Sequence, residues 1–151
     1  MKQPKVLPIV YVILLSGIMI AMTNLLPYFS FYLPFSWAFS AVILLIGFSI
    51  IVVSGSAFRR VNTTVNPLTT NKSTYLVTEG IYHYSRNPMY VAFTLFLVAA
   101  AIYSQNFLSF LLIPPFVVTI TFKQIIPEEL YLEQLFGDEF RDYKARVARW
   151  I

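Results

Sequence analysis

The stretch from Val6 to Phe58 reads VLPIVYVILLSGIMIAMTNLLPYFSFYLPFSWAFSAVILLIGFSIIVVSGSAF and contains no Asp, Glu, Lys, Arg or His. A second stretch without any of these residues runs from Asn87 to Phe122. A bilayer-spanning helix needs roughly 20 apolar residues, so each stretch has room for two spans and a short turn. The spans are expected at 6–26, 37–57, 89–104 and 107–126. Pro27 and Pro34, set among aromatics, mark the first turn, and Ser104-Gln105-Asn106 marks the second.

The rest of the composition agrees. The chain has 151 residues, 58% of them hydrophobic and only 12% charged, with a mean hydropathy of +0.68. A soluble domain carries about twice that charge. Lys2 and Lys5 precede the first span in the manner of a signal peptide. Its apolar run is too long for one and no small-residue cleavage site follows, so a retained anchor is expected. Cysteine is absent and histidine occurs once, which excludes disulfides, Cys-ligated zinc, iron–sulfur clusters and a His-rich metal site. No metal is expected.

Charge placement gives an expected topology. The 11 Lys and Arg residues fall before span one, between spans two and three, and at or after the end of span four. Four spans put these segments on one side, and the positive-inside rule assigns that side to the cytoplasm. All acidic residues fall there too. The net charge of +4 suits anionic lipid head groups. Nucleic acid is not an expected partner, because the basic residues are interleaved with acids at the membrane. Transporters usually need a charge within the membrane, and these spans hold none. The expected fold is therefore an all-α integral membrane protein. It has four transmembrane helices and a C-terminal amphipathic interfacial helix, with both termini cytoplasmic. Residues 1–151 form one membrane domain.

Two polar segments flank the last two spans. The first is Gly80-Ile81-Tyr82-His83-Tyr84-Ser85-Arg86-Asn87-Pro88-Met89-Tyr90. It ends a connector of about 30 residues, and connectors that long are often functional. Thr74-Tyr75-Leu76-Val77 is a short apolar run placed to lie over a site. Gly80 permits a tight turn, Asn87 is a candidate N-cap, and Pro88 suits the first helical position. By itself the segment also reads as a capped helix start with a tyrosine belt of Tyr75, Tyr82, Tyr84 and Tyr90.

The second segment is Pro127-Glu128-Glu129, then Leu135-Phe136-Gly137-Asp138-Glu139-Phe140 and Tyr143-Lys144-Ala145-Arg146-Val147. The glutamates suit a helix's first turn. Apolar residues recur from Leu132 to Trp150 at spacings of three or four, the pattern of an amphipathic helix. Gly137 is expected to bend it, and Asp142 and Arg146 form an i,i+4 pair. Adjacent glutamates point about 100° apart on a helix. One can face a pocket while the other braces an arginine. Pro114-Pro115 are expected to kink span four and open a cleft beneath the site.

Together, in this order around a helical hairpin, the two segments resemble the isoprenylcysteine carboxyl methyltransferase family, a relation of the small phospholipid methyltransferases. The likeness covers roughly residues 58–147. It implies membrane-embedded methyl transfer from S-adenosyl-L-methionine without a Rossmann domain, and no glycine-rich strand–helix fingerprint is present. It makes 1–57 a two-helix anchor and 58–151 the methyltransferase core. Carried over by position, the cofactor contacts are Thr74, Tyr75, Leu76, Val77, Tyr82, Asn87, Pro88, Met89, Tyr90 and Glu128. The candidate catalytic residues are Arg86, Glu129 and Arg146, and Tyr143 matches a further motif position. Asn87 stands where the prenylcysteine branch has His, Gln124 where a substrate-facing Arg aligns, and Ala148 in place of a Pro.

The chemistry suits those residue types. A carboxylate accepts hydrogen bonds from an ammonium or a ribose, and tyrosine faces favour adenine and a sulfonium. Helix-start N–H groups bind a carboxylate. Methyl transfer needs alignment and dryness more than a triad. A carboxylate or thiolate acceptor needs no base. An amine needs one, with His83, Glu129 or a tyrosine as candidates. The expected partners are the bilayer and a lipid-like methyl acceptor, a prenylcysteine-type carboxylate or a phospholipid amine, in a prokaryotic cell membrane. The alternative is a non-enzymatic membrane scaffold or assembly protein.

Overall fold

The computed structural model describes residues 7–60 and 75–151. The expected contact Thr74 lies outside the described residues. What is described is almost entirely helical, with no strand. Helix α1 spans Pro8–Leu25, α2 Ser36–Arg60, α3 Pro88–Ser104, α4 Phe107–Phe110, α5 Ile113–Ile120, α6 Ile126–Phe136 and α7 Asp138–Arg146. A 3-10 turn at Gly80–His83 precedes α3, and a π-helical turn at Thr121–Ile125 joins α5 to α6. Three helical stretches are long and apolar enough to cross a membrane: Pro8–Leu25, Ser36–Arg59 and Phe107–Phe136. Pro88–Ser104 is a shorter apolar fourth.

Helix α3 is the centre of the bundle, with α2 on one flank and α1 on another. Its buried residues are mostly small (Ala92, Ala99, Ala101 and Ser104), with Pro88 and Leu97 larger. Small residues let helix backbones approach where lipid supplies no hydrophobic drive between helices. Gly47 of α2 is the closest fit: a Cβ there would stand 2.7 Å from the Phe96 ring and 3.3 Å from the Ala92 carbonyl. Val12 and Met19 of α1 join Leu97, Ala101, Phe116, Ile120 and Ile125 in one apolar core. The other faces of α1 and α2 stay bare, with Ile13, Leu14, Leu45 and Phe48 exposed. Residues of that kind suit lipid.

The end of the bundle at Ser104-Gln105-Asn106 is stitched by polar groups. The Thr23 hydroxyl donates to the Ser104 carbonyl at 2.7 Å. The Asn106 amide donates to the Met22 and Leu26 carbonyls at 3.3 and 3.0 Å, while its oxygen caps α4 through the Leu108 N–H. Gln105, with φ +48, donates to the Ser36 hydroxyl and accepts from the Leu33 N–H. These bonds satisfy some of the loose backbone groups at three helix ends.

Three sequence expectations are modified. The helix does break near Pro114-Pro115, but α5 restarts at Ile113 with the prolines in its first turn. They stand some 20 Å of helix from Glu128 at 1.5 Å per residue, so the break they mark is remote from it. Pro127 stands in the first turn of α6 as expected, but α6 runs on from α5 through the π turn without a gap. Proline lacks an N–H and crowds the carbonyl four residues back, and the wider π turn accommodates both. Finally, the C-terminal amphipathic segment is two helices. Gly137, with φ +55, separates α6 from α7, and helix ends at Arg146, before Val147 and Trp150. The apolar face of α7 packs inside the protein, where Phe140, Tyr143 and Val147 meet Leu76, Leu132 and Phe136.

Candidate functional site

Gly80, at φ +64, turns the chain into the 3-10 turn that carries Tyr82 inward. Its neighbours point out: Tyr75 and Tyr84 are exposed, and so is His83, whose ring lies edge-on to Tyr84. The expected belt therefore divides. Tyr82 is 6% exposed and packs edge-to-face on Phe58 at 5.3 Å between ring centres. Its carbonyl accepts a 2.6 Å bond from the Tyr143 hydroxyl of α7. Burial pushes the Tyr82 and Tyr143 phenols above their usual range, so both stay protonated.

Pro88 starts α3 as expected. Asn87 holds the N-cap position but makes no side-chain cap, because its amide donates to the Arg149 carbonyl at 3.0 Å. One turn into α3, the Tyr90 hydroxyl crosses to α6 and meets both Glu128 oxygens at 3.0 and 3.2 Å. Gln124, on the π turn, donates to the same carboxylate at 2.9 Å. Glu128 thus has two neutral donors and no cation among the described residues.

Glu129 turns away, as a helical step requires, and is treated oppositely. The Arg149 guanidinium grips both its oxygens, with Nε at 3.1 and 3.2 Å and Nη2 at 2.7 Å. Arg86 Nη2 adds a contact at 3.1 Å. The Arg149 guanidinium is held all the more firmly charged by the hydrogen bond it donates to Glu129. The Arg86 side chain is 9% exposed, yet its Nε and Nη1 have no partner among the described residues. A buried donor left unpaired costs about 1–3 kcal/mol. Formal charge over Glu128, Glu129, Arg86 and Arg149 cancels, but it is unevenly placed. Negative charge is left over at Glu128 and positive charge at Arg86.

The structure thus brings Tyr82, Asn87, Tyr90, Glu128, Arg86 and Glu129 to one end of the bundle. Leu76 and Pro88 are buried beside them, Val77 and Met89 are half-buried, and Tyr75 is exposed. Arg146 is not brought in. It is exposed and its Nε donates to the Asp142 backbone carbonyl at 3.3 Å, so the expected i,i+4 contact is made to the main chain. Arg149 supplies the second arginine instead. Nothing in the sequence singles it out, because it is a polar residue between the apolar positions Val147 and Trp150 and lies past the last motif residue, Val147. No group of three or more His, Cys, Asp or Glu suited to a metal occurs among the described residues.

A helical bundle with bare apolar flanks, and with carboxylates, arginines and tyrosines gathered at one end, is built as a membrane protein is. The chain belongs to the phospholipid methyltransferase family, whose sequence profile matches residues 35–139. It is similar at 37% identity over 81 residues to the protein-S-isoprenylcysteine O-methyltransferase of Schizosaccharomyces pombe, covering 54% of this chain and 34% of that one. The chain therefore spans about a third of the length of that relative. It is also 43% identical over 63 residues to an uncharacterized protein of Haemophilus influenzae, covering 42% of this chain and all of that one.

Proposed function

We propose that this protein transfers a methyl group from S-adenosyl-L-methionine to a lipid or lipid-like small molecule at the cytoplasmic face of a cell membrane. The observation that carries the reading is the contact of Tyr90 with Glu128 across α3 and α6. It places a largely buried carboxylate, supplied among the described residues with neutral donors alone, beside an aromatic ring. Such a carboxylate suits an ammonium or a ribose diol, and such a ring suits a sulfonium. Glu128, Tyr90 and Tyr82 are the donor-binding side in this reading, and Arg86 with Glu129 faces the acceptor. Residues 58–151 carry the chemistry and 1–57 anchor it.

When bound, S-adenosylmethionine supplies a methyl group already activated for displacement. The chain aligns the reactants and keeps water out. Glu129 is poorly placed to take a proton, because both its oxygens are held by arginine. His83 is exposed beside Tyr84. That favours an acceptor that reacts as an anion, and the name of the yeast relative fits a prenylcysteine-type carboxylate. A phospholipid amine is the second reading, supported by the family's description. An apolar groove of about 380 Å³ along α2, lined by Val42, Leu45, Val53 and Ile81, reaches the residue before Tyr82 in the chain and suits an acceptor chain arriving from the bilayer.

Isothermal titration of the detergent-solubilised protein with S-adenosylmethionine tests the reading. Saturable binding that Glu128→Ala removes is expected, and folded protein that binds no donor overturns it. Labelled donor added to membranes, followed by lipid extraction, then identifies the acceptor.

A further inference from the structure

The last residues, Val147 to Ile151, lie beyond the family match at 35–139 and make four ties back to the site. The Arg86 N–H donates to the Ala148 carbonyl at 3.0 Å. The Asn87 amide donates to the Arg149 carbonyl at 3.0 Å. The Arg149 guanidinium forks onto Glu129, and the Trp150 indole N–H donates to the Thr121 hydroxyl at 3.2 Å. The tail thus joins the start of α3, the π turn and the first turn of α6.

Its position explains an imbalance. Glu129 is 7% exposed and would otherwise have Arg86 as its one cationic partner among the described residues. A lone carboxylate beside a lone guanidinium favours the two-pronged pairing that uses two N–H groups at once. Here Arg149 takes that place, and Arg86 contributes Nη2 alone.

We propose that the tail is a clasp and that Arg149 is a positioning residue, which holds both oxygens of Glu129 so that the Nε and Nη1 of Arg86 stay free for an oxygen of the methyl acceptor. The proposal rests on the methyltransferase reading for its functional half alone. Arginine is specific to this task, because lysine offers a point charge without the planar fork.

The test uses Trp150. Trp37 is the other tryptophan, at the far end of the bundle in α2, and Trp37→Phe leaves Trp150 as the sole reporter. In that background Arg149→Ala is expected to shift Trp150 emission to the red as the tail lifts. Turnover is measured as label passed from S-adenosylmethionine to extractable lipid. We expect it to fall about tenfold or more while the donor Kd stays within about threefold of the parent. Glu129→Gln is expected to give the same emission shift, and the double variant no further change, since coupled residues are not additive. Arg149→Lys, the milder change, is expected to restore part of the turnover.

Unchanged emission and turnover in Arg149→Ala overturn the proposal, and so does full additivity with Glu129→Gln. A red shift with unchanged turnover leaves Arg149 an anchor of the tail and overturns its positioning role. A parent protein that binds no donor removes the methyltransferase reading instead, and the emission cycle between Arg149 and Glu129 still decides whether the clasp exists.

Discussion

The Tyr90 hydroxyl has one proton and two Glu128 oxygens within reach. Tyr90→Phe keeps the ring and removes that proton, which separates its two uses. A hydrogen bond to a charged group is worth about 1.5–3 kcal/mol, part of which Gln124 retains by its own bond to Glu128. The expected outcome is a donor Kd raised about tenfold with little loss of fold, read by titration and thermal melting. Tyr90→Ala removes the ring as well and is expected to bind more weakly still. The divergence of Glu128 and Glu129 was legible beforehand, because two neighbours on a helix cannot face the same way. The partner of Glu129 was not. Arg149 reaches it across α6, α7 and the glycine between them, and no spacing rule links residues separated by two helices and a turn.

At the scale of elements, contact between α2 and α3 depends on the absence of a side chain at Gly47. Gly47→Leu must displace the Phe96 ring and press on the Ala92 carbonyl, and overpacking of this kind costs about 1–3 kcal/mol. Gly17 of α1 has nothing within 4 Å of its would-be Cβ. Gly17→Leu is expected to be neutral or mildly stabilising, because leucine is the better helix former. Thermal melting of the two variants side by side checks the contrast. The spans were legible because an uncharged run of this length has few other solutions. The π turn was not. It follows from α6 running on from α5, so that Pro127 opens one helix while another still precedes it, and a proline after an apolar run does not tell that from a fresh start. The end of α7 was also overrun, since Val147 and Trp150 keep apolar spacing after the helix has stopped.

At the scale of the whole molecule, the ends of the bundle differ in charge. The turn holding Tyr28 and Tyr32 carries no ionisable group besides tyrosine, while α6, α7 and the tail carry most of the chain's charges. Because the sequence has no cysteine, single thiols report sidedness cleanly. Tyr28→Cys is expected to react with an impermeant maleimide from outside intact cells. Lys144→Cys, on α7, is expected to react only after permeabilisation. The reverse pattern places the site on the outer face.

The stitching around Ser104, Gln105 and Asn106 has a mechanical consequence. Helices fastened together at one tip pivot there, so any spreading of α1, α2 and α3 is greatest at the opposite tip, where the glutamates and arginines stand. Legs hinged like a pair of tongs part widest at the free end. Under the proposed function, admitting a greasy acceptor and releasing it then requires no rearrangement of the joint itself.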